Sequence, residues 1–262
     1  MKIPSYIITF LMGLTNKTLF LTMLTVSAVL FPSCEKDHFF DFAKSTGKIV
    51  TITRTVDENY TKIYLNDDVN LVITQGNAYS IKLEGGENIL SGIETTFSDS
   101  TLTIRNKNKF NWVRSYDKEI TAYVTLPHLL DLQYEATSTV TNTDTLREDS
   151  LTVSSTGGSG YIDLIIETGT AKLSIINGSV DMKISGKTGV SFIFSGAYGP
   201  FHCHDLESEF LFIRSSSTND CYINVNYQLG YEISSLGNIY YKGNPPEISG
   251  VSTGEGKLIK VN

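Results

Sequence analysis

One short phrase keeps returning through the second half of this chain: a turn rich in Gly, Ser, Thr or Asn, closed at once by an apolar residue. The turns read Ala136-Thr137-Ser138, Gly157-Gly158-Ser159-Gly160, Asn177-Gly178-Ser179, Ser195-Gly196-Ala197, Ser217-Thr218-Asn219, Ser235-Leu236-Gly237 and Thr253-Gly254-Glu255-Gly256. The closing residues are Val140, Ile162, Met182, Phe201, Cys221, Ile239 and Leu258, spaced 18 to 22 residues apart. A fixed period of about 20 residues, with turns at one phase and apolar residues at another, is the mark of a solenoid of stacked coils.

Within each period the apolar residues alternate. Leu151/Val153, Leu173/Ile175, Phe192/Phe194, Phe210/Phe212 and Tyr231/Ile233 precede the turns, while Ile162/Leu164/Ile166, Met182/Ile184, Phe201/Cys203, Cys221/Ile223/Val225 and Ile239/Tyr241 follow them. A period of two extends back to Ile49, as in Val69-x-Leu71-x-Ile73 and Ala122-x-Val124-x-Leu126, and no stretch carries a helical period. The class is therefore all-β. Two strands and a tight turn per coil describe a parallel β-helix, each apolar residue stacking on its counterpart one coil away. An antiparallel sandwich also places strands at short intervals, but Asn177-Gly178 is the single strong hairpin signal. Residues 49–135 lack the Gly/Ser turn and are expected to form a few modified first coils. At the other end, Glu255, Lys257 and Lys260 put charge on the last edge, which discourages strand addition.

The first 33 residues read as a targeting segment. Lys2 and Lys17 are their only charges, and the apolar or hydroxyl run Leu19 to Phe31 is thirteen residues, short of the about 20 that cross a bilayer. The run ends in Leu30-Phe31-Pro32-Ser33-Cys34, then Glu35-Lys36-Asp37. A small residue before Cys after such a run resembles a bacterial lipoprotein cleavage site, which implies lipidation of Cys34. An ordinary signal peptide cut nearby is the alternative. The organisation expected is a signal peptide over 1–33, a tether over 34–48 and one β-helix domain over 49–262. Removing residues 1–33 deletes two lysines and no acid, so the formal charge of −7 becomes −9. That disfavours nucleic acid and anionic lipid as partners.

The mature region resembles the putative auto-transporter adhesin head GIN domain family of Bacteroidetes lipoproteins. The residues that carry the resemblance are Val69-Asn70-Leu71-Val72-Ile73-Thr74-Gln75-Gly76, Ser80-Ile81-x-Leu83-Glu84, Glu87-Asn88-Ile89-Leu90 and Thr101-Leu102-Thr103-Ile104. Towards the end come Gly237-Asn238-Ile239-Tyr240-Tyr241-x-Gly243-Asn244-Pro245 and Ser252-Thr253-Gly254-Glu255-Gly256. The family's Gly-Ser-Gly-Asp-Ile turn survives best at Gly158-Ser159-Gly160-Tyr161-Ile162 and Gly178-Ser179-Val180-Asp181-Met182. The resemblance implies a right-handed single-stranded β-helix. The acids after Cys34 resemble a surface-export signal of such lipoproteins, which implies outer-membrane anchoring at the cell surface.

Few residues assemble into chemistry. Gly157-Gly158-Ser159-Gly160-Tyr161-Ile162-Asp163 mimics a calcium-binding β-roll, but its acid falls one residue late, on the other side of the strand. His202 and His204 share one strand face with Cys203 on the other, and two imidazoles fall short of a zinc site. Cys203 and Cys221 are 18 residues apart, both at inward positions, and read as buried thiols or a cross-coil disulfide. The acids Asp163, Asp181, Asp205 and Asp220 share no phase with one another, nor with a cation one coil away. No catalytic or metal residue and no cofactor is expected. The ligand candidate is an insertion between strands, Asn106 to Lys118, in which Phe110, Trp112, Arg114 and Tyr116 interleave aromatics with cations. Trp112 could equally fold back over the open end of the core. The expected function is a non-enzymatic binding or adhesive module, membrane-held by its lipid and facing a glycan or surface protein. A polysaccharide-lyase-like glycan enzyme is the alternative.

Overall fold

The structure is a computed structural model and describes residues 46–57, 59–108 and 119–261. The chain divides into two units, and all of these residues belong to one of them. About two-thirds of them are β-strand. Coils of about 20 residues stack in parallel through about six turns, a β-solenoid.

The regular part begins with β10 (Leu146–Gly158), β11 (Tyr161–Ile175), β12 (Asp181–Ser195), β13 (Phe201–Ser215) and β14 (Cys221–Ile233). Each pairs in parallel with the next, and the Gly/Ser turns of the sequence lie between them. The stack finishes with β15 (Ile239–Lys242), β16 (Glu247–Ser252) and β17 (Leu258–Lys260). At the turns the backbones approach one another closely. Gly178 has φ +92°, and a Cβ there would stand 2.3 Å from the carbonyl oxygen of Gly158. Only glycine fits a left-handed corner against a neighbouring backbone.

The expected core column is present. Ile162 pairs with Met182, Met182 with Phe201, Phe201 with Cys221, and Cys221 with Ile239. All five are fully buried. The column extends past Val140 to Leu71 and Ala122 on one side and to Leu258 on the other. Stacking identical positions lets varied side chains share one dry seam, because each touches only its neighbours along the axis.

Two departures from the sequence reading concern register and topology. The inward phase slips by one residue within β10, β11 and β12, and twice within β13. In β11 the buried residues Ile162, Leu164 and Ile166 give way, past Gly169, to Ala171, Leu173 and Ile175. Register carries the second set to Ser191, Ile193 and Ser195, then to Leu211, Ile213 and Ser215. Phe192/Phe194 and Phe210/Phe212 therefore point outward, where the sequence pattern had grouped them with the core pairs. The segment Ser191-Phe192-Ile193-Phe194-Ser195 is apolar at both phases. Pairing of Ile193 with the buried Leu173 and Ile213 settles which phase goes in.

The beginning of the solenoid is rearranged as well as irregular. β2 (Lys62–Asp67) and β3 (Asn70–Gln75) sit between β6 (Thr101–Asn106) with β7 (Thr121–Leu126) on one side and β8 (Asp131–Ala136) with β9 (Thr139–Asn142) on the other. The β2–β3 coil thus lies inside the stack, and the chain leaves it and returns on both sides of it. The excursion pairs antiparallel: β4 (Ser80–Gly86) lies between β7 and the preceding strand β1 (Ile49–Arg54), and β5 (Ile93–Ser98) lies against β6. These modified coils bury Ile63, Leu65, Leu71 and Ile73 as fully as the regular ones bury theirs.

Candidate binding face

The phase slip creates a feature that alternation alone did not reveal. Four successive rungs place Lys172, Phe192, Phe212 and Gly230 in one outward column. The neighbouring column, two residues on, holds Ser174, Phe194, Arg214 and Glu232. Phe192 and Phe212 are 45% and 39% exposed, and their rings stack at 5.5 Å with an interplanar angle of 17°. Beyond them, a Cβ on Gly230 would meet Phe212 Cδ1 at 2.7 Å. The missing side chain gives the ring room to lie against the backbone. Arg214 Nε donates to Glu232 Oε2 at 2.8 Å across the adjacent rungs.

On this face lies an open groove of about 520 Å³, lined by the residues of both columns together with Leu173, Ile193, Ile213 and Tyr231. Single exposed apolar residues need no explanation. A stacked pair of phenylalanines lining a groove, with a third ring at Phe194, is a contiguous apolar patch of the kind that marks interaction surfaces. Around the corner, exposed Phe210 stacks on Tyr227 at 5.9 Å.

A second outward column follows the turns. Asp163, Lys183, His202, Tyr222 and Tyr240 lie in register. Lys183 Nζ donates to Asp163 Oδ2 at 3.0 Å, and that carboxylate raises the pKa of the lysine. A cation thus does stand one coil from Asp163 at the same phase, contrary to the sequence reading, and it occupies the acid that the calcium pattern would have used. His202 approaches Asp181 at 3.4 Å and begins a ring ladder, stacking on Tyr222 at 5.5 Å, with Tyr222 on Tyr240 at 5.1 Å. His204 turns to Asp205 at 3.2 Å. Among the described residues no group of three or more His, Cys, Asp or Glu could hold a metal ion.

Cys203 and Cys221 are free and buried. Cys203 pairs in register with Ile223 and Cys221 with Phe201, so the thiols sit in adjacent columns instead of one. Burial pushes the Cys203 thiol well above its usual range and Cys221 to about 11. Thiols that stay protonated are neither nucleophiles nor metal ligands at neutral pH. Cys34 and the loop residues Phe110, Trp112, Arg114 and Tyr116 lie outside the described residues.

Comparison with known proteins places this architecture. The family model described as "Putative auto-transporter adhesin, head GIN domain" matches residues 59–245. A "putative adhesin" from Bacteroides fragilis superposes with a TM-score of 0.75 at 21% identity, over 82% of this chain and 97% of that one. A "putative lipid binding protein" from Parabacteroides distasonis gives 0.64 at 18%, covering 83% and 98%. A "putative adhesin" from Parabacteroides merdae gives 0.60 at 15%, covering 83% and 98%. At these identities the likeness is one of fold. No curated protein matches the chain.

Proposed function

Because the chain belongs to the auto-transporter adhesin head GIN domain family, we propose that it is a non-enzymatic binding module of the bacterial envelope, whose contact surface is the outward phenylalanine face of β12 and β13. The exposed Phe192–Phe212 stack carries this reading. Folding gains little by holding two rings half in water, whereas a partner that covers them recovers the burial energy of both. Catalysis has no comparable support, since the buried thiols stay protonated. The aromatic loop Phe110, Trp112, Arg114 and Tyr116 remains a second proposed contact, on its sequence alone. The ligand class is a glycan or protein on a facing surface.

Anchoring is proposed through lipid on Cys34 to the outer membrane, with the acids behind it favouring the cell surface. The support is the apolar run that ends at Ser33-Cys34. Cys34→Ala should release the protein into the soluble fraction and abolish labelling by a fatty-acid analogue; retained membrane association refutes the anchor. For the face, beads coated with the protein should attach to bacterial envelopes, and beads coated with Phe192→Ser/Phe212→Ser should not. Equal attachment by a double variant that keeps its far-UV spectrum and melting temperature refutes the binding face.

A further inference from the structure

The order of residues along the phenylalanine face is self-complementary. Read along the axis, one column runs Lys172, Phe192, Phe212, Gly230, and its neighbour Ser174, Phe194, Arg214, Glu232. A two-fold axis lying along the strands, midway between the β12 and β13 rungs, reverses the rung order and keeps each column opposite itself. Phe192 then meets Phe212 of a second copy and Phe194 meets Arg214, an aromatic facing a cation. Lys172, the long exposed side chain at one end, comes to the other end, where Glu232 offers its carboxylate. Charge falls opposite charge and apolar rings opposite one another, as an isologous interface requires. We propose that this face pairs with a second copy of the same chain about that axis.

Ring orientation favours this occupant over a sugar. Phe192 and Phe212 lie face to face with each other, so one flat surface of each ring is covered by the other and less ring face is left for a sugar to stack on. The edges they present suit the edge-to-face contacts of opposing aromatic side chains. The inference rests on the face being the binding surface proposed above, and it names the partner.

The test is the oligomeric state by sedimentation equilibrium at roughly 100 μM, a concentration that populates complexes of micromolar affinity. The native protein should be dimeric. Phe192→Ser should weaken association by about 30-fold or more, as loss of a central aromatic anchor does. Charge reversal supplies the decisive arm. Lys172→Glu alone and Glu232→Lys alone should each be monomeric, because each sets like charges opposite one another twice in a homodimer. Mixed in equal amounts, the two variants should dimerise, because both cross-pairs become attractive. The Arg214–Glu232 pair that the second variant disturbs is exposed, so the fold tolerates its loss. A native protein that stays monomeric, a dimer indifferent to Phe192→Ser, or a mixture that fails to associate overturns the proposal. If the native protein is monomeric while Phe192→Ser/Phe212→Ser still abolishes envelope attachment, self-pairing fails and the binding face stands. If attachment also survives, both fail.

Discussion

Phe201 and Phe212 lie on the same strand, yet the register assigns them opposite fates, and truncating each to alanine measures that assignment. Phe201 is fully buried between Met182 and Cys221. Its removal forfeits the transfer energy of the ring and leaves a cavity between coils, a loss of about 3–5 kcal/mol. Phe212 is 39% exposed, so about three-fifths of the 1.5–3 kcal/mol of a fully buried ring is at stake, about 1–2 kcal/mol. No cavity adds to this, because water enters the vacated space. With a urea dependence of about 3 kcal/mol per molar, Phe201→Ala should lower the midpoint by about 1–1.7 M and Phe212→Ala by about 0.3–0.7 M. Urea titrations followed by far-UV circular dichroism and by tyrosine fluorescence should coincide, with an unchanged slope. A Phe212→Ala shift as large as that of Phe201→Ala would mean that the outward column is core after all, and the binding face would go with it.

Ile223→Asp buries an unpaired carboxylate between coils and should leave no cooperative unfolding transition, whereas Asn224→Asp, one residue on and facing out, should melt within a few degrees of the native protein. Gly178→Ala, at φ +92° with its new Cβ against the Gly158 carbonyl, should destabilise by more than about 1 kcal/mol. Gly76→Ala, whose Cβ would meet only the Thr125 methyl at 3.1 Å, should cost less, and thermal melts would separate the two. Finally, Cys203 and Cys221 should resist a thiol-specific disulfide reagent at pH 8 and react only on unfolding, because burial keeps both protonated there. Rapid labelling of either in the native protein would contradict the packing around them.

The repeat in the sequence contains the architecture almost completely. A turn every 18 to 22 residues, with an apolar residue at fixed distance behind it, can bury its apolar phase only by stacking coil on coil, and the column from Val140 to Leu258 follows from that spacing. What the spacing does not contain is the choice between two apolar phases. In Ser191-Phe192-Ile193-Phe194-Ser195 both phases are apolar, and the larger rings lose the interior to Ile193 because Leu173 and Ile213 already occupy its column. That choice is made between strands, not along one, and it turns a stretch of expected core into the candidate binding face. The insertion of β2 and β3 between later coils has the same origin. Those strands carry a legible period of two, but which neighbours they pair with depends on edges contributed by residues 50 or more positions away in sequence. Local alternation determines that a strand exists and roughly which residues share a face; only the packed stack decides which face meets water.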